Sequence, residues 1–179
     1  MDIDPANLEI VVYPDPILKQ TAKPVQAFDK TLQAVAVRMI ELMYDADGIG
    51  LAAPQVGLPW RLFVTRPPED DPNAQTQGAG CVYVNPTMQI TTRDMDVHEE
   101  GCLSLPGIRV DIRRPIEVTL QAMEVDGQPV SLSRDDFMAR VWQHEIDHLN
   151  GVLIIDKMNP MDRIARRKDI KELERDAQR

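Results

Sequence analysis

The chain has 179 residues, of which 43% are hydrophobic, and it carries a formal net charge of −9 at pH 7. This length predicts one domain over residues 1–179, and an acidic chain without a basic stripe through its body excludes direct reading of nucleic acid. The sequence has no apolar run approaching the ~20 residues that span a bilayer and no leader pattern at its N-terminus, so we expect a cytoplasmic protein that does not enter a membrane.

The first predicted element is an amphipathic helix from Lys30 to Ala46. Apolar residues recur through it at helical spacing, Asp29 can cap its start, and Gly48 follows its end. The next stretch, GIGLAAPQVG, contains three glycines and predicts a loop or irregular strand that another backbone could approach closely.

Strand patterns fill the middle of the chain. WRLFVT and CVYVN each predict a strand, and the polar stretch 67–80 between them predicts a surface loop. Alternating apolar residues from Ile116 to Leu132, interrupted by Asp126 and Gly127, predict a hairpin. We therefore expect this part of the protein to be mostly antiparallel sheet.

Helical patterns return in the last third. Ser133 and Asp136 resemble a capping box, and the following stretch, DFMARVWQHEIDHLNG, has apolar residues at helical spacing before it stops at Gly151. Beyond Pro160 the tail is highly charged with sparse apolar residues, which predicts a solvated or lightly docked helix.

The strongest chemical motif is the segment His144-Glu145-Ile146-Asp147-His148. Two histidines four apart on a helix project from one face and can share a metal ion, while the glutamate can reach a water at that ion. The chain has only three histidines, and two of them fall at this spacing. The alternative is an exposed helical HExxH motif without a metal.

Two histidines leave a metal ion in need of at least one more protein ligand. The metzincin pattern is excluded because Ile154 stands where its third histidine would be, and the glutamates of the charged tail are weak candidates. Cys102, a soft thiolate in a loop bounded by glycine and proline, is the preferred ligand, with His98 and Glu100 as nearby competitors. A lone cysteine is also often only a small buried hydrophobe.

Three segments together resemble the peptide deformylase family: GIGLAAPQ at 48–55, EGCLS at 100–104 and QHEIDH at 143–148. The resemblance covers about residues 10–156 of a single catalytic domain, with a helical tail at 161–177. It implies an α+β fold in which antiparallel β-sheets pack around a central HExxH-bearing helix, with a C-terminal helix. It also implies a metal-dependent hydrolase that removes the formyl group from the N-terminal formyl-methionine of nascent polypeptides and releases formate.

The resemblance also implies a role for each motif residue. The implied metal ligands are Cys102, His144 and His148. Glu145 would take a proton from the attacking water and return it to the departing amine. The side-chain amide of Gln55 and the backbone N–H of Leu103 would stabilise the oxyanion, although a surface loop amide is the alternative for Gln55.

Other residues are expected to bind the peptide. Gly50 resembles a position where the substrate backbone approaches in strand-like fashion, and Arg109 resembles a contact to that backbone, with a solvated strand arginine as its alternative. Methionine specificity needs a deep apolar pocket, and Val141 and Phe137 lie three and seven residues before the first motif histidine. We expect both to contact the methionine side chain with Ile49, with core packing as the alternative for Phe137.

The metal and the partners are predicted only in outline. A site of two histidines and one cysteine suits Zn²⁺ by softness and geometry, whereas the resemblance implies Fe²⁺ in the native form. The expected partners are N-formylmethionyl peptides. The resemblance also indicates a ribosome contact through the tail, with a solvated helix as the alternative. The basic cluster of the tail consists of Arg163, Arg166, Arg167 and Lys168.

Two other functions could use the same residues. A metallopeptidase that cleaves internal peptide bonds would share the HExxH chemistry, but Cys102 together with Gln55 favours the deformylase. A non-catalytic metal-binding or peptide-binding module would keep the fold and lose the chemistry, and the intact Glu145 argues against it.

Overall fold

The computed structural model describes residues 3–72, 76 and 78–177. Its helices are α1 (Lys30–Asp45), α2 (Phe137–Leu149), α3 (Ile154–Lys157), α4 (Pro160–Ala165) and α5 (Arg167–Asp176). Its strands are β1 (Gly50–Ala52), β2 (Leu62–Thr65), β3 (Cys81–Ile90), β4 (Met95–Gly101), β5 (Arg109–Pro115), β6 (Val118–Met123) and β7 (Pro129–Arg134).

Within the described residues the strands form two antiparallel sheets. The larger has five strands in the order β1-β2-β3-β6-β7, and the smaller pairs β4 with β5. The prediction of an α+β fold with antiparallel sheets and a C-terminal helix is confirmed.

Helix α1 begins where the sequence predicts it. The side chain of Asp29 accepts hydrogen bonds from the backbone N–H groups of Thr31 and Leu32 at 2.9 and 3.0 Å, which satisfies two of the donors left free at a helix start.

Strand β2 is buried on both faces because helices cover the large sheet on both sides. Leu62 and Val64 belong to the core cluster that contains the buried face of α1. Phe63, which lies between them, belongs to the cluster of Trp142 on α2. Alternate residues of a strand point to opposite faces, so β2 packs against one helix on each side.

The predicted hairpin is β6 and β7. Leu120 pairs with Leu132, and Gly127 in the connecting turn has a φ of 88°, in the left-handed region that glycine adopts most easily. The sequence predicts neither β4 nor β5 as a strand. The apolar residues of β4, Met95 and Val97, are exposed and its buried residue, Glu100, is charged, so the pattern of a half-buried strand is missing there.

The predicted capping box at the start of α2 is wrong, because Asp136 is itself the N-cap residue of the helix. Asp136 caps the helix by accepting from the backbone N–H of Met138 at 3.0 Å. Ser133 instead lies in β7, and its hydroxyl is 2.7 Å from the Thr119 hydroxyl on the neighbouring strand.

The tail is helical but broken into α4 and α5. Ile170 and Leu173 of α5 pack against a core cluster, whereas Ile164 of α4 is 75% exposed. The predicted loop at 67–80 falls partly outside the described residues, and its described part has no helix or strand. Across the part of the chain that the structure describes, every helix is too short or too polar to cross a membrane.

Candidate metal centre and active site

Helix α2 presents His144 and His148 one turn apart, and Cys102 follows the end of β4. The His148 Nε2 atom lies 3.2 Å from His144 Nε2 and 3.3 Å from Cys102 Sγ. Among the residues that the structure describes, these three form the one group of His, Cys or acidic side chains close enough to share a metal ion. The predicted set of ligands is therefore brought together from two distant parts of the chain.

The two competing ligands point elsewhere. The His98 side chain is 64% exposed and its Nε2 lies 3.1 Å from Asp96. Glu100 is buried, but its oxygens accept hydrogen bonds from arginine side chains and from the far nitrogen of His144.

The donor set suits a divalent cation. Burial, together with the charges of His144 and Arg114, lowers the pKa of His148 well below its usual value, so its imidazole is neutral. Burial also lowers the pKa of His144, but hydrogen bonds to Cys102 and Glu100 outweigh this and raise it to about 10. A cation bound at this centre would take the place of the His144 proton, and a soft thiolate with two imidazoles is a common ligand set for zinc and other transition metals.

Glu100 orients His144 from behind the metal centre. Its Oε2 lies 3.0 Å from His144 Nδ1, so the imidazole directs Nε2 towards Cys102 and His148. A carboxylate in this position is the usual partner of a metal-binding histidine. Burial raises the pKa of Glu100, but hydrogen bonds from Arg114 and His144 outweigh it and hold that pKa well below its usual range.

The Glu100 carboxylate is itself held by two buried arginines. Arg114 donates from Nε and Nη2 at 2.6 and 2.8 Å, and Arg140 donates from Nη1 at 2.6 Å. Arg114 also donates to Asp147 at 2.8 Å, and Arg140 is paired with Asp96.

Sequence reasoning missed this network. Arg140 could have been found, because it lies four residues before His144 on the same helix face. Arg114 stands on an unpredicted strand and has no such local pattern.

Glu145 is buried beside the metal ligands and lies against Gly50. Its Oε2 has no hydrogen-bond partner among the described residues. Burial raises the pKa of Glu145 to about 7, so this carboxyl group can both accept and release a proton near neutral pH.

Gln55 lies in a short 3-10 helix, Ala53–Val56, and is buried rather than a surface amide. Its Oε1 accepts from the backbone N–H of Ala52 at 2.9 Å, which turns Nε2 towards the metal centre. Nε2 donates to the Ser104 hydroxyl at 3.3 Å and lies 3.6 Å from Cys102 Sγ. Sequence reasoning missed Ser104 as the partner that holds this amide, although it stands in the EGCLS segment.

A cavity of about 460 Å³ opens beside these groups, and the other predicted site residues line it. Val141 is buried, Ile49 is 39% exposed and Phe137 is 59% exposed, so Phe137 stands at the mouth and not in the core. The Arg109 side chain is 67% exposed and lies 3.5 Å from Glu99. The remaining predicted residues in the wall are Gly50 and Leu103.

A family model described as polypeptide deformylase matches residues 7–164. The chain belongs to the polypeptide deformylase family. Enzymes of this family are metal-dependent hydrolases that remove the N-formyl group from nascent peptides, and the chain is an enzyme of this class.

Individual relatives agree over nearly the whole chain. The peptide deformylase of Brucella suis biovar 1 is 43% identical over 155 residues, which are 86% of this chain and 86% of that protein. The Thermotoga maritima peptide deformylase is 43% identical over 171 residues, which are 95% of this chain and 98% of that protein.

Solved structures of deformylases share the fold. A plant peptide deformylase superimposes with a TM-score of 0.90 at 37% identity, covering 99% of this chain and 94% of that one. The Thermotoga maritima structure gives 0.76 at 42% identity, covering 86% of this chain and 98% of that one.

Proposed function

We propose that this deformylase binds one divalent metal ion through Cys102, His144 and His148, and that Glu145 handles the protons of the reaction. The observation that carries the proposal is the convergence of three ligand atoms within 4.8 Å of one another beside a buried carboxyl group. In this view α2 is the central helix of the site, because it supplies both histidines and the glutamate.

When bound, the metal supplies Lewis-acid chemistry: it lowers the pKa of a water molecule and polarises a carbonyl oxygen. We propose Fe²⁺ as the native metal on the family resemblance, with Zn²⁺ as an alternative that the same donors accept.

Glu145 moves the proton in two steps. Its carboxylate first accepts a proton from the water that attacks the formyl carbon. It then donates that proton to the departing amine, so that formate and a free N-terminus are released. A pKa of about 7 suits both steps, because the two protonation states are close in free energy at neutral pH.

Gln55 and Leu103 stabilise the oxygen that gains negative charge as water adds to the formyl carbon. The Gln55 amide is held by Ala52 and Ser104, so its N–H donors are fixed beside the metal centre. Preorganised donors of this kind stabilise a developing charge more strongly than mobile water does.

The peptide occupies the cavity beside the metal centre. Ile49, Phe137 and Val141 form an apolar wall for the methionine side chain. Gly50 and Arg109 contact the peptide backbone, which lies as an additional strand beside β1, whose other edge pairs with β2.

We also propose that the enzyme acts in the cytoplasm and reaches its substrates through a ribosome contact of the tail. Arg167 and Lys168 are exposed and belong to a basic cluster in an otherwise acidic chain. Replacing both with Ser should reduce co-sedimentation with ribosomes at low salt and spare turnover of short peptides. Lys30→Ser with Arg93→Ser removes two exposed positive charges elsewhere and is the matched control. Equal co-sedimentation of the two variants would disprove a ribosome contact through the tail.

The activity is tested with a formyl-Met tripeptide. The metal-loaded enzyme should release formate from it and leave an acetylated tripeptide and an internally cleavable peptide intact. Cleavage of the internal bond without formate would identify a metallopeptidase, and binding without any product would identify a non-catalytic module.

A further inference from the structure

Glu145 occupies the space that a side chain at position 50 would need. An ideal Cβ built on Gly50 would lie 2.4 Å from Glu145 Oε1 and 2.9 Å from its Cδ. Both distances are far inside van der Waals contact, so any residue larger than glycine must displace something at this point.

The backbone at position 50 cannot easily give way. Gly50 pairs with Thr65 across the antiparallel ladder of β1 and β2. Leu51 and Ala52, which follow it in β1, are fully buried. A shift of β1 away from α2 would therefore disturb ladder hydrogen bonds and core packing together.

The carboxylate of Glu145 is the part that can move. Its Oε2 has no hydrogen-bond partner among the described residues, so no hydrogen bond ties this oxygen to its place. The atoms nearest to the built Cβ are Oε1, Cδ and Cγ, the flexible end of the side chain.

We propose that Gly50 is a positioning residue for Glu145, and that its missing side chain leaves the space in which the carboxylate is aimed at the reacting water. The inference rests on the proposed role of Glu145 as the proton carrier. This positioning role can be distinguished from a contact between Gly50 and the peptide backbone. A steric effect on Glu145 changes the rate of the chemical step, whereas loss of a peptide contact changes substrate binding.

The test is Gly50→Ala, measured on metal-loaded enzyme with a formyl-Met tripeptide. We expect kcat to fall on the order of 100-fold, the usual cost of misplacing a catalytic group by about 1 Å. KM should stay within about threefold and metal content should be unchanged, because the metal ligands are untouched. A raised KM with unchanged kcat would overturn the proposal.

A double-mutant cycle with Glu145→Gln separates the inference from the proposed function. If Gly50 acts through Glu145, the double variant should be no more than about threefold slower than Glu145→Gln alone, because non-additivity reports coupling between the two positions. Multiplied losses would overturn the inference. Near wild-type turnover of Glu145→Gln would instead overturn the proposed function itself.

Two further measurements cover a Gly50→Ala enzyme that folds poorly or loses its metal. Glu145→Asp shortens the acidic side chain and so makes room for a Cβ at position 50. When Gly50→Ala is added to the Glu145→Asp variant, it should therefore lower the metal content, the melting temperature and the turnover much less than it does in the wild-type enzyme. A failure of this rescue would show that residue 50 acts on something other than the carboxylate. A crystal structure of Gly50→Ala should show the Glu145 carboxylate displaced by about 1 Å or more, and an unmoved carboxylate would also overturn the proposal.

Ser131→Thr is the control for adding one methyl group at a distance from the site, because Ser131 is exposed on β7. We expect kcat of this variant to change by no more than about threefold, as for other surface substitutions. A fall equal to that of Gly50→Ala would overturn the steric argument.

Discussion

Variants of Cys102 and His98 test which of the two residues is the third protein ligand of the metal ion. Replacing Cys102 with Ser should weaken metal affinity by more than about 100-fold, since loss of an outer partner alone costs 10–100-fold and here a thiolate ligand is removed. His98→Ala should keep its metal, because the His98 side chain is 64% exposed and lies against Asp96. Metal analysis after dialysis against a chelator measures both, and the reverse ranking would disprove the assignment.

Replacing Glu145 tests whether this side chain takes the proton of the water while the other residues hold the metal ion. Glu145→Gln keeps the size of the side chain and removes its basic oxygen, so turnover should fall by about 100-fold to 10,000-fold. Metal content and KM should change little, since the ligands and the apolar wall remain. Activity and metal must be measured on one sample. A variant that keeps its metal and near wild-type turnover would show that another group takes the proton.

At the scale of the element, α2 depends on the cap that holds its first turn. Asp136→Ala should destabilise the protein by about 1 kcal/mol, because the Met138 N–H loses its acceptor. Asp135→Ala, the exposed neighbour, is the control and should have an effect within about 0.5 kcal/mol. Urea unfolding at pH 7 measures the free energy of unfolding of both variants. Equal values would show that Asp136 is not the residue that caps α2.

The effect of Asp136 should also depend on pH. Burial raises the pKa of Asp136, but Arg134 and the helix N–H groups outweigh it and hold that pKa below its usual value. A carboxyl group whose folded pKa is lowered contributes stability above its unfolded pKa of about 3.9 and loses it as pH falls through the folded value. The difference in stability between wild type and Asp136→Ala should therefore shrink as pH falls from about 5 towards 2.

At the scale of the whole molecule, an ion network with a buried centre and exposed ends at Asp96 and Lys157 ties the small sheet to α2 and α3. At its centre the Glu100 carboxylate lies between two arginines in the interior, where each charge depends on its partner. The members are Asp96 and Glu100 of β4, Arg114 of β5, Arg140 and Asp147 of α2, and Lys157 of α3.

Removing one member of the network should lower the free energy of unfolding, because the remaining charges stay buried without their partner. Arg114→Met should destabilise the metal-free protein by about 3 to 5 kcal/mol, because Glu100 loses two hydrogen bonds and Asp147 loses one. Lys19→Met, which breaks the exposed pair with Asp156, should cost less than about 1 kcal/mol. Denaturant unfolding in the presence of a chelator measures both. Similar costs would mean that the network contributes no more than a surface ion pair.

The sequence by itself determined the features that depend on neighbours along the chain. The spacing of His144 and His148, the cap at Asp29, and the hairpin around Gly127 all follow from the period of a helix or the geometry of a turn, and the structure has each of them. The three family motifs likewise sufficed to identify the enzyme class.

Only the tertiary structure decided which distant groups meet. Cys102 lies 46 residues from His148, and Gly50 meets Glu145 only because β1 packs beside α2. Strand β4 was missed since its apolar residues Met95 and Val97 are exposed while its buried residue, Glu100, is charged, and Arg114 on the neighbouring strand was missed with it. Such contacts depend on the packing of whole elements and leave no local period in the chain, so the environment that sets each pKa is a property of the fold.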